Sequence, residues 1–224
     1  GIDGDRLPMT IEGLHPAIPR THRLEMPSAQ VKSALLLAGL NTPGVTEVIE
    51  PTPTRDHLER LLPLFGAEIA AEHASIRVRG EVELKPQQLA ISRDPSAAAF
   101  LAVAALIVPG SEIRMDCICV NPRRTGIFRA LEAAGADLAF DNEREASGEP
   151  VADVTVRHSA LAGIDVPPEL VTDMIDEFPI FFVSAAFAKG TTRARGLGEL
   201  RLKESDRIAT MAAGLRAIGA QVEE

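Results

Sequence analysis

The densest group of chemically capable side chains is Lys203-Glu204-Ser205-Asp206-Arg207. Lys203 and Arg207 stand four residues apart, so a helix would put both cations on one face. Glu204 would lie about 100° around from Lys203. Such a face can hold an anion and set a carboxylic acid beside it; the alternative is a solvated helix start whose charges pair with each other. Arginine recurs in the same setting at Arg55, Arg124 and Arg207, which precede the glycines of Gly66-Ala67, Gly135-Ala136 and Gly219-Ala220 by 11, 11 and 12 residues. A cation in a first helical turn opposes the macrodipole. Three so placed suggest helix starts that face anions, where free N–H groups and guanidinium cooperate. The competing account pairs Arg55 with Asp56, and Arg207 with Asp206 or Glu204. A second set of helix starts carries Ser28, Asp94 or Ser96, and Asp176, which suit either capping or ligand contact. Gln30 is placed to meet a ligand at a helix mouth or to satisfy local backbone. Lys32 is expected at the surface, and His57 as a local partner of its helix start.

These residues sit in three stretches with one grammar. The first runs from Pro27-Ser28-Ala29-Gln30 through an apolar helix to Leu40, then Pro43-Gly44, a strand over 45–49, Thr54-Arg55, and a helix ending at Gly66-Ala67. The second runs from Asp94-Pro95-Ser96 through an Ala-rich helix to Val108, a strand over 112–117, Arg123-Arg124-Thr125, and a helix ending at Gly135-Ala136. The third runs from Ile175-Asp176-Glu177 through a helix to Ala188, a strand over 191–195, the Lys203–Arg207 segment, and a helix ending at Gly219-Ala220. Leu58, Leu61, Leu62 and Phe65 keep the helical period, as do Ile127, Leu131 and Ala134. The three glycines are expected to be left-handed helix terminators. Pro63 predicts a kink, or a helix that starts after its turn. Alternating residues over 75–79 and 152–156 predict further strands.

The expected fold class is α/β, of α+β type, built from repeated βαβαββ units. The unequal spacing from Gly66 to Gly135 to Gly219, 69 and then 84 residues, argues against a regular solenoid. A boundary near Ser92-Arg93 is expected, with residues 1–92 and 93–224 belonging to two lobes.

Composition narrows the function classes. The 224 residues are 46% hydrophobic, which is ample for a buried core, and the net charge of -9 lacks the basic footprint of a nucleic-acid or membrane-surface binder. The longest apolar run, near 100–108, is too short to span a bilayer. Residues 1–6, Gly-Ile-Asp-Gly-Asp-Arg, contain no apolar signal region, so a cytoplasmic location is expected. Cys117 and Cys119 read as packing residues on one strand face, where a bridge is not expected. The five histidines are scattered, without metal-ligand spacing. The missing initiator Met and the strand-like end at Glu224 suggest a fragment of a longer chain.

Five motifs carry a family resemblance. PSAQVKSALLLAGL at 27–40, PTRDH at 53–57, NPRRTG at 121–126, IDEFP at 175–179 and LKESDR at 202–207 resemble, in this order, segments of the 5-enolpyruvylshikimate-3-phosphate synthases. The resemblance covers essentially the whole chain. It implies two lobes of three βαβαββ units, with substrates in the cleft between them and no metal or other cofactor. It implies transfer of the enolpyruvyl group of phosphoenolpyruvate to the 5-hydroxyl of shikimate 3-phosphate, by a cytoplasmic, monomeric enzyme. Carried over by position, Ser28, Ala29 and Gln30 would contact shikimate 3-phosphate, and Gln30 would also reach phosphoenolpyruvate. Arg55 would bind the shikimate-side phosphate. Asp176 would accept the 5-hydroxyl proton, and Glu204 would protonate the methylene carbon. Lys203 would hold shikimate 3-phosphate and Arg207 phosphoenolpyruvate. The family's N-terminal Lys-Ser and Arg, its glycine loop, an upstream arginine, and its C-terminal arginine and lysine have no counterparts here. The chain alone is therefore expected to be inactive. Arg93 stands where a small residue is expected. The competing readings are a UDP-N-acetylglucosamine enolpyruvyl transferase, which uses a loop cysteine as an acid, and a non-catalytic binding module.

Overall fold

The computed structural model describes residues 12–224, so the reading of residues 1–6 lies outside the described residues. The chain divides into two compact units, Gly1–Gln87 and Gln88–Glu224. In the first, strand β1 (Thr21–Arg23) leads to α1 (Ala29–Leu40), β2 (Val45–Ile49), α2 (His57–Leu61), β3 (Ile69–Glu72) and β4 (Ser75–Arg79). This is a βαβαββ unit with sheet order β1-β2-β4-β3, in which only the β1–β2 pair is parallel. Ser28 caps α1 by accepting from the Val31 N–H, and Asn41 closes it by donating its own N–H to Ala38. Leu24, Leu36, Val48, Ile76 and Val78 form the core between α1 and the sheet. Gly39 permits that approach: a Cβ there would lie 2.7 Å from Val78 Cγ1 and 2.9 Å from Thr46 Cβ.

Pro63 acts by changing the helix type. The α-helix stops at Leu61 and continues as a 3-10 turn, Leu62–Phe65, in which Pro63 takes an early position where its missing N–H costs nothing. Gly66, Gly135 and Gly219 all adopt positive φ (86°, 92° and 94°) and terminate their helices as the sequence predicts.

The second unit repeats the plan. Its elements are α3 (Pro95–Ile107), β5 (Glu112–Cys119), α4 (Gly126–Ala133), β6 (Asp137–Ala146) and β7 (Glu149–Arg157), with sheet order β5-β7-β6. Arg93 bridges Ile118 in parallel, so the backbone at Arg93 takes the place that β1 holds in the first unit. Its N–H and C=O pair with Cys117 and Cys119. Asp94, not Ser96, caps α3, accepting from the Ser96 N–H, with Pro95 at the first helical position.

Strand β5 runs two residues past the predicted end through a bulge between Met115 and Ile118. Cys117 lies in that bulge at φ 55°, which breaks the alternation expected to put both cysteines on one face. Both thiols are free, and burial raises the pKa of the Cys119 thiol. A second register shift interrupts β6 between Asp141 and Arg144. Asp153 on the central strand β7 serves both irregularities: Oδ1 accepts from the Cys117 N–H at 3.0 Å, and Oδ2 accepts from Asn142 at 2.8 Å and Arg114 at 2.9 Å.

A third round follows with α5 (Phe178–Phe187) and α6 (Arg207–Ala217). The strand expected over 191–195 is reduced to isolated parallel bridges, Ala162 with Lys189 and Asp165 with Arg193. Helices α3, α4 and α5 share one core with the sheet, built on Leu106, Phe128, Leu131, Val154, Phe178 and Phe181. No helix among the described residues is long and apolar enough to cross a membrane.

Candidate functional site

In the first unit, Ser28 and Ala29 are half-buried at the mouth of α1 and Gln30 is exposed there. Arg55 stands two residues before α2, whose N-cap is Asp56, so it precedes the helix and does not open it. Asp56 is engaged by Arg60 at 2.8 Å.

Lys32 is not a surface residue. It is 1% exposed, with its ammonium 2.8 Å from Glu59 Oε1 and 3.0 Å from Glu50 Oε2. Lys32, Leu36 and Gly39 are the buried positions of α1, and their spacing of four and three is the signal in the sequence that places Lys32 on the inner face. Charge alone pointed outward; the two carboxylates that make burial possible come from distant positions.

In the second unit, Asp176 lies on a 3-10 segment, Thr172–Glu177, and does not cap α5; Glu177 occupies the N-cap position without a side-chain cap bond. The Lys203–Arg207 segment also differs from expectation. Lys203 ends a 3-10 turn, Gly198–Leu202, residues 203–206 are non-helical, and α6 starts at Arg207 under an Asp206 cap. Lys203 and Arg207 therefore share no helix face. They are brought together by Asp176, whose Oδ1 lies 3.7 Å from Lys203 Nζ and 3.4 Å from Arg207 Nη1.

Glu204 makes a two-point contact with Arg207, Nε to Oε1 and Nη2 to Oε2, both at 2.9 Å. This guanidinium holds the Glu204 carboxyl below its usual range, and Glu204 in turn raises the Arg207 pKa. Lys203 also meets Glu199 at 2.6 Å. Three carboxyl groups, Asp176, Glu199 and Glu204, and two cations thus converge, with Glu204 the most open to solvent (68% exposed against 41% for Glu199 and 31% for Asp176). Both cations are already paired with these acids, so an anion would bind here by displacing one of those pairs, with carboxyl groups beside it that can exchange protons.

Arg124, like Arg55, precedes its helix by two residues, whereas Arg207 is a first helical residue. The three arginines are therefore not equivalent in place. Arg124 Nη2 donates to Asp94 Oδ1 at 2.8 Å and to Ser96 Oγ at 2.6 Å. Ser96 passes its own proton to a hydrogen bond with Glu177, the neighbour of Asp176. The chain's own acids thus occupy Arg124. Sequence spacing alone does not reveal this network, because Asp94, Arg124 and Glu177 meet only through tertiary packing.

Comparison with known proteins identifies the family of the chain. The family model of EPSP synthase (3-phosphoshikimate 1-carboxyvinyltransferase) matches residues 4–224. The chain is 56% identical over 226 residues to a 3-phosphoshikimate 1-carboxyvinyltransferase of Zymomonas mobilis, covering 99% of this chain and 50% of that protein. It is 57% identical to one of Sphingopyxis alaskensis, covering 97% and 50%. It spans about half the length of the curated relatives it matches. An EPSP synthase structure from Acinetobacter baumannii superposes with a TM-score of 0.82 at 45% identity, over 89% of this chain and 45% of that one. The enolpyruvyl transferase NikO from Streptomyces tendae, at 20% identity and a TM-score of 0.65 over 81% of this chain and 45% of that one, shares the fold. Match to the family model over nearly the whole chain, high identity to its relatives, and close superposition on a solved EPSP synthase lead to one conclusion: this chain belongs to the EPSP synthase family.

Proposed function

We propose that the protein carrying this chain transfers the enolpyruvyl group of phosphoenolpyruvate to the 5-hydroxyl of shikimate 3-phosphate, as a cytoplasmic monomer. Residues through 92 would belong to the lobe that binds the first substrate, and 93–224 to the second lobe. The observation that carries the reading is the convergence of Lys203 and Arg207 on Asp176, with Glu204 held by the same arginine.

In this reading Asp176 accepts the 5-hydroxyl proton as the oxygen bonds to C2 of phosphoenolpyruvate. Glu204 delivers a proton to C3, which creates the electrophilic C2. Loss of phosphate from C2, which takes up the proton that Asp176 accepted, and return of the C3 proton to Glu204 restore the double bond and both carboxyl groups. As found, Glu204 is held ionised by Arg207, which is the wrong form for an acid. An incoming phosphoenolpyruvate anion that takes the guanidinium would loosen this pair and let the Glu204 pKa rise toward that of a proton donor. Lys203 and Arg207 supply fixed positive charge to the substrates. Ser28, Ala29, Gln30 and Arg55 bind shikimate 3-phosphate in the first unit, with Gln30 also meeting phosphoenolpyruvate.

The cysteine chemistry of a UDP-N-acetylglucosamine transferase finds little support, since Cys119 is buried with a raised pKa and Cys117 sits in a strand bulge. Isothermal titration of the complete protein with shikimate 3-phosphate and with UDP-N-acetylglucosamine separates the possibilities. Binding of shikimate 3-phosphate alone is expected. Binding of the nucleotide sugar alone, or of neither, would overturn the assignment.

A further inference from the structure

The buried cluster around Lys32 links the two segments of the first unit that carry its proposed anion-binding residues. Lys32 is one turn into α1, and its N–H donates to the Ser28 carbonyl at 3.0 Å. Its ammonium bonds Glu50, just past the end of β2, and Glu59, within α2. Those carboxylates flank the connection from β2 to α2, and Arg55 lies in that connection. Thr54, the residue before Arg55, donates its hydroxyl to the second oxygen of Glu50. One cation thus joins the Ser28–Gln30 helix mouth to both ends of the Arg55 segment.

Stability gives a weak reason for this arrangement. Glu59 Oε2 is buried without a hydrogen-bond partner, and an unmet acceptor opposes folding. A buried ion cluster is often no more stabilising than apolar side chains of equal volume. What charges at fixed hydrogen-bond distances provide is geometry. An apolar contact tolerates sliding, whereas an ammonium held by two carboxylates sets the separation of three elements.

We infer that Lys32 is a positioning residue for phosphate recognition. Through Glu50, Glu59 and Thr54 it holds Arg55 at the distance from the α1 mouth at which one shikimate-side phosphate meets both. The inference rests on the proposed roles of Ser28 and Arg55, and the test separates the two. In the complete protein, Lys32→Met, Thr54→Val, Thr54→Ser and Arg55→Ala would be compared by titration with shikimate 3-phosphate and by the KM for each substrate.

Lys32→Met is expected to weaken shikimate 3-phosphate binding by roughly ten-fold or more, the scale of one charge-assisted hydrogen bond, while the KM for phosphoenolpyruvate stays within about two-fold, the span expected when no direct contact is lost. Thr54→Val should weaken it in the same selective way, and Thr54→Ser, which keeps the hydroxyl, should restore parental affinity. If Lys32→Met yields no folded protein, the Thr54 pair decides: parental affinity in Thr54→Val overturns the inference, and a loss rescued by serine supports it. Parental affinity in Lys32→Met, or equal weakening for both substrates, overturns the positioning role while a defect in Arg55→Ala leaves the function standing. Parental affinity in Arg55→Ala overturns the proposed phosphate-binding role of Arg55, and the inference with it, whereas the functional reading fails only if shikimate 3-phosphate does not bind the parent protein.

Discussion

Gly126 offers a severe test of how the Asp176 segment is held. It is the first residue of α4, and a Cβ there would lie 2.8 Å from the Asp173 carbonyl carbon, 2.9 Å from its oxygen and 2.9 Å from Met174 Cβ. Carbon atoms rest about 3.5–4.0 Å apart, so Gly126→Ala must move the 172–177 segment by roughly 0.7–1 Å on that scale. The obstruction is mostly backbone, and no rotamer change relieves it. Asp173 is itself buried, with burial raising its pKa against the lowering influence of Arg123 and Arg129, so the segment cannot swing freely into solvent. Alanine in place of glycine would gain at most about 1 kcal/mol of helix propensity, and less at a first position. Overpacking costs about 1–3 kcal/mol, so the clash should win. Asp176, three residues on, would shift with the segment. A misplacement near 1 Å can cost about 10²-fold in rate. Urea unfolding and turnover of the complete protein should therefore both report a loss. Gly214 in α6 is the control, since a Cβ there meets nothing within 4 Å; Gly214→Ala should be neutral or stabilising by up to about 1 kcal/mol. Parental turnover and stability in Gly126→Ala would refute the claim that close packing fixes Asp176.

The remaining predictions concern charge. Asp176→Asn keeps the shape and removes the proposed base, so turnover should fall roughly 10²–10⁴-fold with substrate binding little changed; a loss of only a few-fold would return Asp176 to a structural role. Arg207→Ala should raise the KM for phosphoenolpyruvate by roughly ten-fold or more, the worth of a charge-assisted hydrogen bond, and parental KM would count against the assignment. Asp153 is held well below the usual carboxylate range, chiefly by the Asn142 amide and then by the Cys117 N–H. Its contribution is therefore complete above its unfolded pKa of about 3.9 and is lost as pH falls below that value toward the folded one. Asp153→Asn should lower the urea midpoint at pH 7 and flatten its fall below about pH 4; an unchanged midpoint would remove Asp153 as the anchor of the two bulges. The 224-residue chain by itself should release no phosphate from the two substrates, and turnover near that of a complete enzyme would refute the assignment of missing groups.

Local signals in the sequence determined much of the architecture. Ser28 and Asp94 supply cap oxygens as the sequence suggests, although Asp176 does not, Gly66, Gly135 and Gly219 supply left-handed terminators, and the apolar helices between them repeat in order. These are short-range effects, so spacing along the chain is sufficient to read them. The residue types that the proposed anion binding and proton transfer call for stand in the sequence at Asp176 and from Lys203 to Arg207.

How those residues meet was decided by tertiary structure. Lys203 and Arg207 are four apart, which suggested a helix face, yet the turn before α6 is non-helical and Asp176, from a distant 3-10 segment, draws them together. The strand expected over 191–195 is reduced to isolated bridges, because a ladder depends on the neighbours a segment finds as well as on its own alternation. Lys32 looked like a surface residue because an isolated charge belongs in water. Its burial depends on Glu50 and Glu59, 18 and 27 positions away in the chain, arriving at one point. Pairing of charges in a low-dielectric interior depends on distance in space, and only the packing of α1, β2 and α2 sets that distance.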